Sequence, residues 1–138
     1  MECLDFSLSQ DVACSIRYPK TAAAEISREL QPIELGKSET LRTGTDGTIV
    51  VCGVSLANAL EAAEILQSEG LDVGVVNARF VKPIDTEMIR QTLANSKFVI
   101  TVEEANLMGG FGSAFLESAN EMGLNASKVR RIGIPDEF

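Results

Sequence analysis

Two adjacent carboxylates, Glu103 and Glu104, close the β-favouring run Val99-Ile100-Thr101-Val102. Strand ends are where α/β folds place ligand sites. Neighbours on a strand point to opposite faces, so the two cannot act together as an acid–base pair while the strand lasts. One of them could face a cleft or a partner domain. The plainer reading is that they solvate the strand end or cap the next loop. Just beyond lies Met108-Gly109-Gly110-Phe111-Gly112-Ser113, ahead of a helical pattern. Free N–H groups at a helix start can bind an anion. Yet the run is neither GxGxxG nor a P-loop with Lys-Ser/Thr. Gly109, Gly110 and Gly112 equally suit a tight connection with positive φ or close packing. Upstream, Arg79, Lys82 and Asp85 frame Pro83. The two cations could hold an anion, pair with a neighbouring domain's carboxylates, or be solvated surface charge. Arg17-Tyr18-Pro19-Lys20 sets two cations around a rigid turn, which suits a phosphate: Arg forks and Lys is a point charge.

Composition removes other chemistries. The 138 residues fit one ordinary domain, and 45% are hydrophobic. A formal charge of −8 opposes nucleic-acid binding. No apolar run reaches membrane length, and the N-terminus lacks a basic secretory n-region. There is no histidine, so no Ser-His-Asp triad, Cys-His dyad or histidine metal site can form. Three dispersed cysteines, Cys3, Cys14 and Cys52, read as reduced packed thiols of a cytoplasmic protein.

The elements that would hold these residues fall into three regions. Residues 1–19 read as the tail of a preceding domain: Leu4, Phe6 and Leu8 alternate with polar residues, and Val12–Ile16 is a short β-favouring run stopped at Pro19. Its uncapped apolar opening points to further chain upstream. Residues 20–47 read as a linker with one short strand near Glu39–Arg42, and Thr21 to Glu25 could start a helical turn. Residues 48–138 alternate strand and helix. Strands are predicted at 48–52, 73–76, 98–102 and 129–134, and helices at 55–69, behind an Asp85 N-cap, and at 113–122. That order implies a largely parallel sheet covered on both faces.

Taken together, Ser15-Ile16-Arg17-Tyr18-Pro19-Lys20, Pro32-Ile33-Glu34-Leu35-Gly36-Lys37, Arg79-Phe80-Val81-Lys82-Pro83, Thr101-Val102-Glu103-Glu104, the Met108–Ser113 turn and Arg131-Ile132-Gly133-Ile134-Pro135-Asp136 form an ordered set. Their order and spacing resemble the 1-deoxy-D-xylulose-5-phosphate synthases over nearly the whole chain. The resemblance implies a parent enzyme that uses thiamine diphosphate and Mg²⁺. That enzyme condenses pyruvate, with loss of CO₂, with glyceraldehyde 3-phosphate, on the route to isoprenoids. It also implies homodimers of three-domain chains, of which this chain resembles the end of the second domain and the third. The expected fold is a three-layer α/β/α domain like the transketolase C-terminal domain. Its five-stranded sheet would be mixed, with Glu39–Arg42 the antiparallel strand. Within residues 48–138 the residue pattern alone gives four strands, all parallel.

The family's cofactor, metal and proton-transfer residues match nothing here, so the chain by itself is expected to hold no cofactor and to be inert. One family position carries over. Lys20 resembles the second basic residue of an Arg-Tyr-Pro-Arg motif that contacts the substrate phosphate, with Arg17 as the first. Lysine keeps the charge and loses the fork. The loops bearing Arg79, Lys82, Glu103, Glu104 and Gly109–Gly112 would then face the junction with the other domains. The rival expectations are the C-terminal part of a transketolase or of a 2-oxoacid dehydrogenase beta subunit, and a stand-alone anion-binding module.

Overall fold

A computed structural model describes residues 2–20 and 24–137. Five strands form one sheet: β1 (Glu39–Arg42), β2 (Gly47–Cys52), β3 (Val73–Asn77), β4 (Phe98–Asn106) and β5 (Val129–Ile134). Their spatial order is β1-β3-β2-β4-β5. β2 pairs in parallel with β3 and β4, and β4 with β5. β1 runs antiparallel to β3, with Glu39 opposite Asn77. The sheet is therefore mixed and five-stranded, as the resemblance implies; β1 is the short strand expected near Glu39–Arg42, and its antiparallel pairing with β3 at the sheet edge is what the residue pattern alone does not give.

Helices α2 (Leu56–Ser68), α3 (Thr86–Asn95) and α4 (Phe111–Glu121) make the crossovers. Crossovers between parallel strands are right-handed. The chain steps from β2 to β3 one way and from β3 to β4 and β5 the other, so α2 lies on one face and α3 and α4 on the opposite face. The core divides accordingly. Val50, Val76, Val99 and Val129 pack with Met88, Ile89, Leu93, Phe111, Phe115 and Ala119 under α3 and α4. Ile49, Val51, Val73 and Val75 pack with Leu56, Ala59 and Ala63 under α2. Successive strand residues alternate between the two clusters, which is why the central strands are apolar throughout.

The N-terminal arm departs from expectation. Glu2–Leu8 is helix α1, and Val12–Ile16 pairs with no strand among the described residues. Leu4 and Leu8 are spaced i, i+4 and suit a helix as well as an alternating strand. A lone extended run has no neighbour to satisfy its backbone. The helical turn expected from Thr21 to Glu25 falls partly on residues 21–23, outside those described; Ala24 and Glu25 are not helical. Two other bounds shift: β4 runs on to Asn106, and α4 begins at Phe111 rather than Ser113.

Candidate functional site

Arg79, Glu103, Glu104 and the glycine turn lie at the carboxyl ends of β3 and β4, and most of the sequence-singled residues bond to other parts of the chain. Strand alternation sends Glu103 toward α4 and Glu104 away from it. Glu103 is 6% exposed. Its carboxylate accepts the N–H of Phe111 at 2.6 Å and that of Gly112 at 2.8 Å. These are first-turn N–H groups that no helical carbonyl can satisfy, at the positive end of the helix dipole. The N-cap Gly110 has no side chain to offer, so β4 supplies the cap from outside. A Cβ on Gly110 would run into the Glu103 carboxylate and the Asn106 carbonyl, and one on Gly112 would crowd Thr101 Oγ1 and Arg131 Cδ. Gly109 is needed for its backbone, at φ 74. The rest of the turn is cross-tied. Ser113 Oγ donates to the Leu107 carbonyl at 2.8 Å, and Arg131 Nη1 donates to the same carbonyl at 2.5 Å. The glycine turn thus wraps the protein's own carboxylate.

Glu104 is exposed on the other side, where it accepts the Val54 N–H at 2.9 Å. It thereby fastens the loop after β2, where Gly53 has φ 116. Cys52 sits beside both acids. Burial, together with the negative charges of Glu103 and Glu104, pushes its thiol up to about 11 against a counter-pull from Arg17. Arg17 therefore acts electrostatically at this edge, although it is exposed. Lys20 is exposed and makes no ion pair among the described residues.

Arg79 and Lys82 part company. Lys82 is exposed. Arg79 turns inward, with its side chain 10% exposed, and pairs with Glu39 at 3.1 Å. Glu39 also receives a forked pair of bonds from Arg28 at 3.0 and 3.1 Å, and one from Asn77 Nδ2 at 3.2 Å. Burial works against the Glu39 carboxylate; the Arg28 bond, the Arg79 charge and the Asn77 bond outweigh it and lower its pKa. Arg79 is also the one non-glycine residue with positive φ among those described, at 55, inside a tight turn closed by Phe80 N–H to the Ala78 carbonyl at 2.5 Å. Such a conformation costs about 1–3 kcal/mol and persists only where its surroundings hold it.

Asp85 is the N-cap of α3, as its spacing predicts. Oδ1 accepts the Met88 N–H at 3.0 Å, and Oδ2 accepts both the N–H and the hydroxyl of Ser38 at 2.9 Å. Burial opposes its charge, while the Ser38 and Met88 bonds and the nearby Lys37 bring the net pKa down. Sequence reasoning missed Glu39 and Ser38 as partners. The bonds of Glu39 with Asn77 and Arg79 and of Ser38 with Asp85 join positions roughly forty or more residues apart, and no local periodicity encodes such pairings.

The α4 N-terminus is filled by Glu103. Among the described residues, no three Asp, Glu, Cys or His come together to hold a metal ion. Two shallow hollows, ≈ 270 and ≈ 220 Å³, are lined by residues such as Arg90 and Lys128 in one and Lys37 and Asp85 in the other. Neither is lined by Arg17, Lys20, Glu103, Glu104 or the glycine turn. No described helix is long and apolar enough to cross a membrane.

Comparison with known proteins agrees with this architecture. Residues 36–138 match the family model described as transketolase, C-terminal domain. The chain is 54% identical over 135 residues to a 1-deoxy-D-xylulose-5-phosphate synthase of Rhodopirellula baltica, covering 98% of this chain and 21% of that protein. It is 45% identical to the synthase of Bacillus velezensis (90% and 20%) and 43% identical to synthase 1 of Geobacter sulfurreducens (98% and 22%). It thus spans about a fifth of the length of these relatives. A solved structure named split gene transketolase, inactive beta4 tetramer, superposes with a TM-score of 0.78 at 34% identity, over 86% of this chain and 39% of that one. The chain belongs to the transketolase C-terminal domain family.

Proposed function

We propose that this chain is the C-terminal part of a cytoplasmic, homodimeric 1-deoxy-D-xylulose-5-phosphate synthase, and that it is catalytically inert alone. Residues 1–19 belong to the preceding domain, 20–47 to a linker, and 48–138 to the third domain. The parent is a transferase that joins pyruvate and glyceraldehyde 3-phosphate with release of CO₂. Thiamine diphosphate, bound with Mg²⁺ by the other domains, supplies the carbanion chemistry when present.

The observation that carries the reading is the capping of α4 by Glu103. The strand-end carboxylate and the helix N-terminus that could serve catalysis satisfy each other instead. What this domain contributes is a stiff carboxyl edge for the neighbouring domains to sit on, with Glu104 and Lys82 on its exposed surface. Lys20, exposed and three positions after Arg17, serves as a contact for the substrate phosphate. The name of the split gene transketolase structure, an inactive tetramer, accords with a piece that does not turn over by itself.

The test is direct. The purified 138-residue chain, given both substrates, thiamine diphosphate and Mg²⁺, forms no 1-deoxyxylulose 5-phosphate; turnover would overturn the reading. A second reading, the C-terminal part of a transketolase, draws on the 34% identity to that structure. It predicts an intact enzyme that consumes a ketose donor in place of pyruvate.

A further inference from the structure

We propose that Arg79 and Glu39 form a latch that positions the basic segment Arg17–Lys20 for a phosphorylated substrate. The proposal rests on the reading of Lys20 as a phosphate contact. Both flanks of that segment return to one loop. Upstream, Phe6 of α1 meets Phe80 edge-on, with ring centroids 5.8 Å apart. Downstream, Arg79 donates to the Gln31 and Pro32 carbonyls, each at 3.1 Å. Phe6 and Gln31, which precede and follow Arg17 and Lys20 in the chain, therefore rest on two adjacent residues.

A cation on a free tether must be ordered when its ligand binds, and that ordering subtracts from affinity. Pinning the chain on both sides of the segment removes much of the cost beforehand. Glu39 holds the latch shut. Glu39 is 5% exposed, and its carboxylate pairs with both Arg79 and Arg28. Only a guanidinium can pair with that carboxylate and still fork onto two carbonyls; a lysine has the charge without the fork. Arg79 makes these bonds from a backbone of positive φ, and strained backbone of this kind concentrates where function requires it. The charge of Arg17 opposes the rise of the Cys52 thiol, so Arg17 lies within electrostatic reach of the end of β2.

Steady-state kinetics of the intact enzyme test the latch with Lys20→Ala, Arg79→Met, Arg79→Lys and Glu39→Gln. Arg79→Met should raise KM for glyceraldehyde 3-phosphate about tenfold while kcat and KM for pyruvate change less than about twofold. Arg79→Lys should recover only part of the loss. Glu39→Gln keeps the side-chain volume, should reproduce the same split, and stands in if Arg79→Met does not fold. The latch is overturned if Lys20→Ala raises that KM and the Arg79 and Glu39 variants leave it unchanged. It is equally overturned if those variants depress kcat and both KM values alike, as general destabilisation would. If Lys20→Ala itself leaves KM unchanged, the phosphate reading fails first and the latch has nothing to position.

Discussion

The carboxylate of Glu103, at the end of β4, accepts the backbone N–H of Phe111 at 2.6 Å and so begins α4. A strand thus supplies the cap for the helix that follows it, and the intervening glycines let the chain come close enough. Replacing Glu103 by Gln leaves one acceptor oxygen for two N–H groups. The expected loss is about 1–3 kcal/mol in urea unfolding, from a buried donor left without a partner.

The glycines should differ in cost according to what a Cβ meets. At Gly110 it strikes the Glu103 carboxylate and the Asn106 carbonyl; at Gly70 it meets nothing, though φ is 89. Gly110→Ala should therefore cost about 2 kcal/mol or more, through overpacking and a displaced cap. Gly70→Ala should cost about 1 kcal/mol, from backbone conformation alone. Parallel unfolding of the two variants checks the order.

Acid should unlock the linker. The pKa values of Glu39 and Asp85 are both lowered in the fold. Groups shifted down stabilise the fold fully above their unfolded values, about 4.3 and 3.9, and lose that contribution as pH falls through the folded values. Stability should fall as pH drops below about 4, and the Glu39→Gln, Asp85→Asn double variant should show a flatter profile. An equally steep profile in the variant would remove these two residues from the account.

Thiol labelling should separate the cysteines. Cys3 and Cys14 are exposed, whereas Cys52 is partly buried, with its thiol pushed up to about 11. The thiolate is the reactive form. At pH 8 a disulfide reagent should modify Cys3 and Cys14 quickly and Cys52 at least about tenfold more slowly. Rapid modification of all three would contradict the packing at the end of β2.

Much of this was legible in the sequence where the signal is local. Asp85 as a cap, the apolar strands and the α2 pattern all follow from spacing within a turn or two. The opposite facing of Glu103 and Glu104 follows from strand geometry alone. What spacing could not give was the partner of each charged group. Glu103 with Gly112, Arg79 with Glu39 and Asp85 with Ser38 are tertiary pairings, set by how β1, β3 and α4 come together. The arm was misread because a short alternating run is compatible with a helix when no strand lies beside it. The short strand at Glu39–Arg42 is legible, but four residues with one apolar side chain do not say which way it runs or which strand it joins; the family resemblance supplies both.

The most direct test is the activity of the native polypeptide that carries this domain, purified at its full length and supplied with pyruvate, glyceraldehyde 3-phosphate, thiamine diphosphate and Mg²⁺. The account predicts formation of 1-deoxyxylulose 5-phosphate with release of CO₂. A polypeptide that instead requires a ketose donor or lipoamide, or that is only as long as this chain and still turns over, would contradict it.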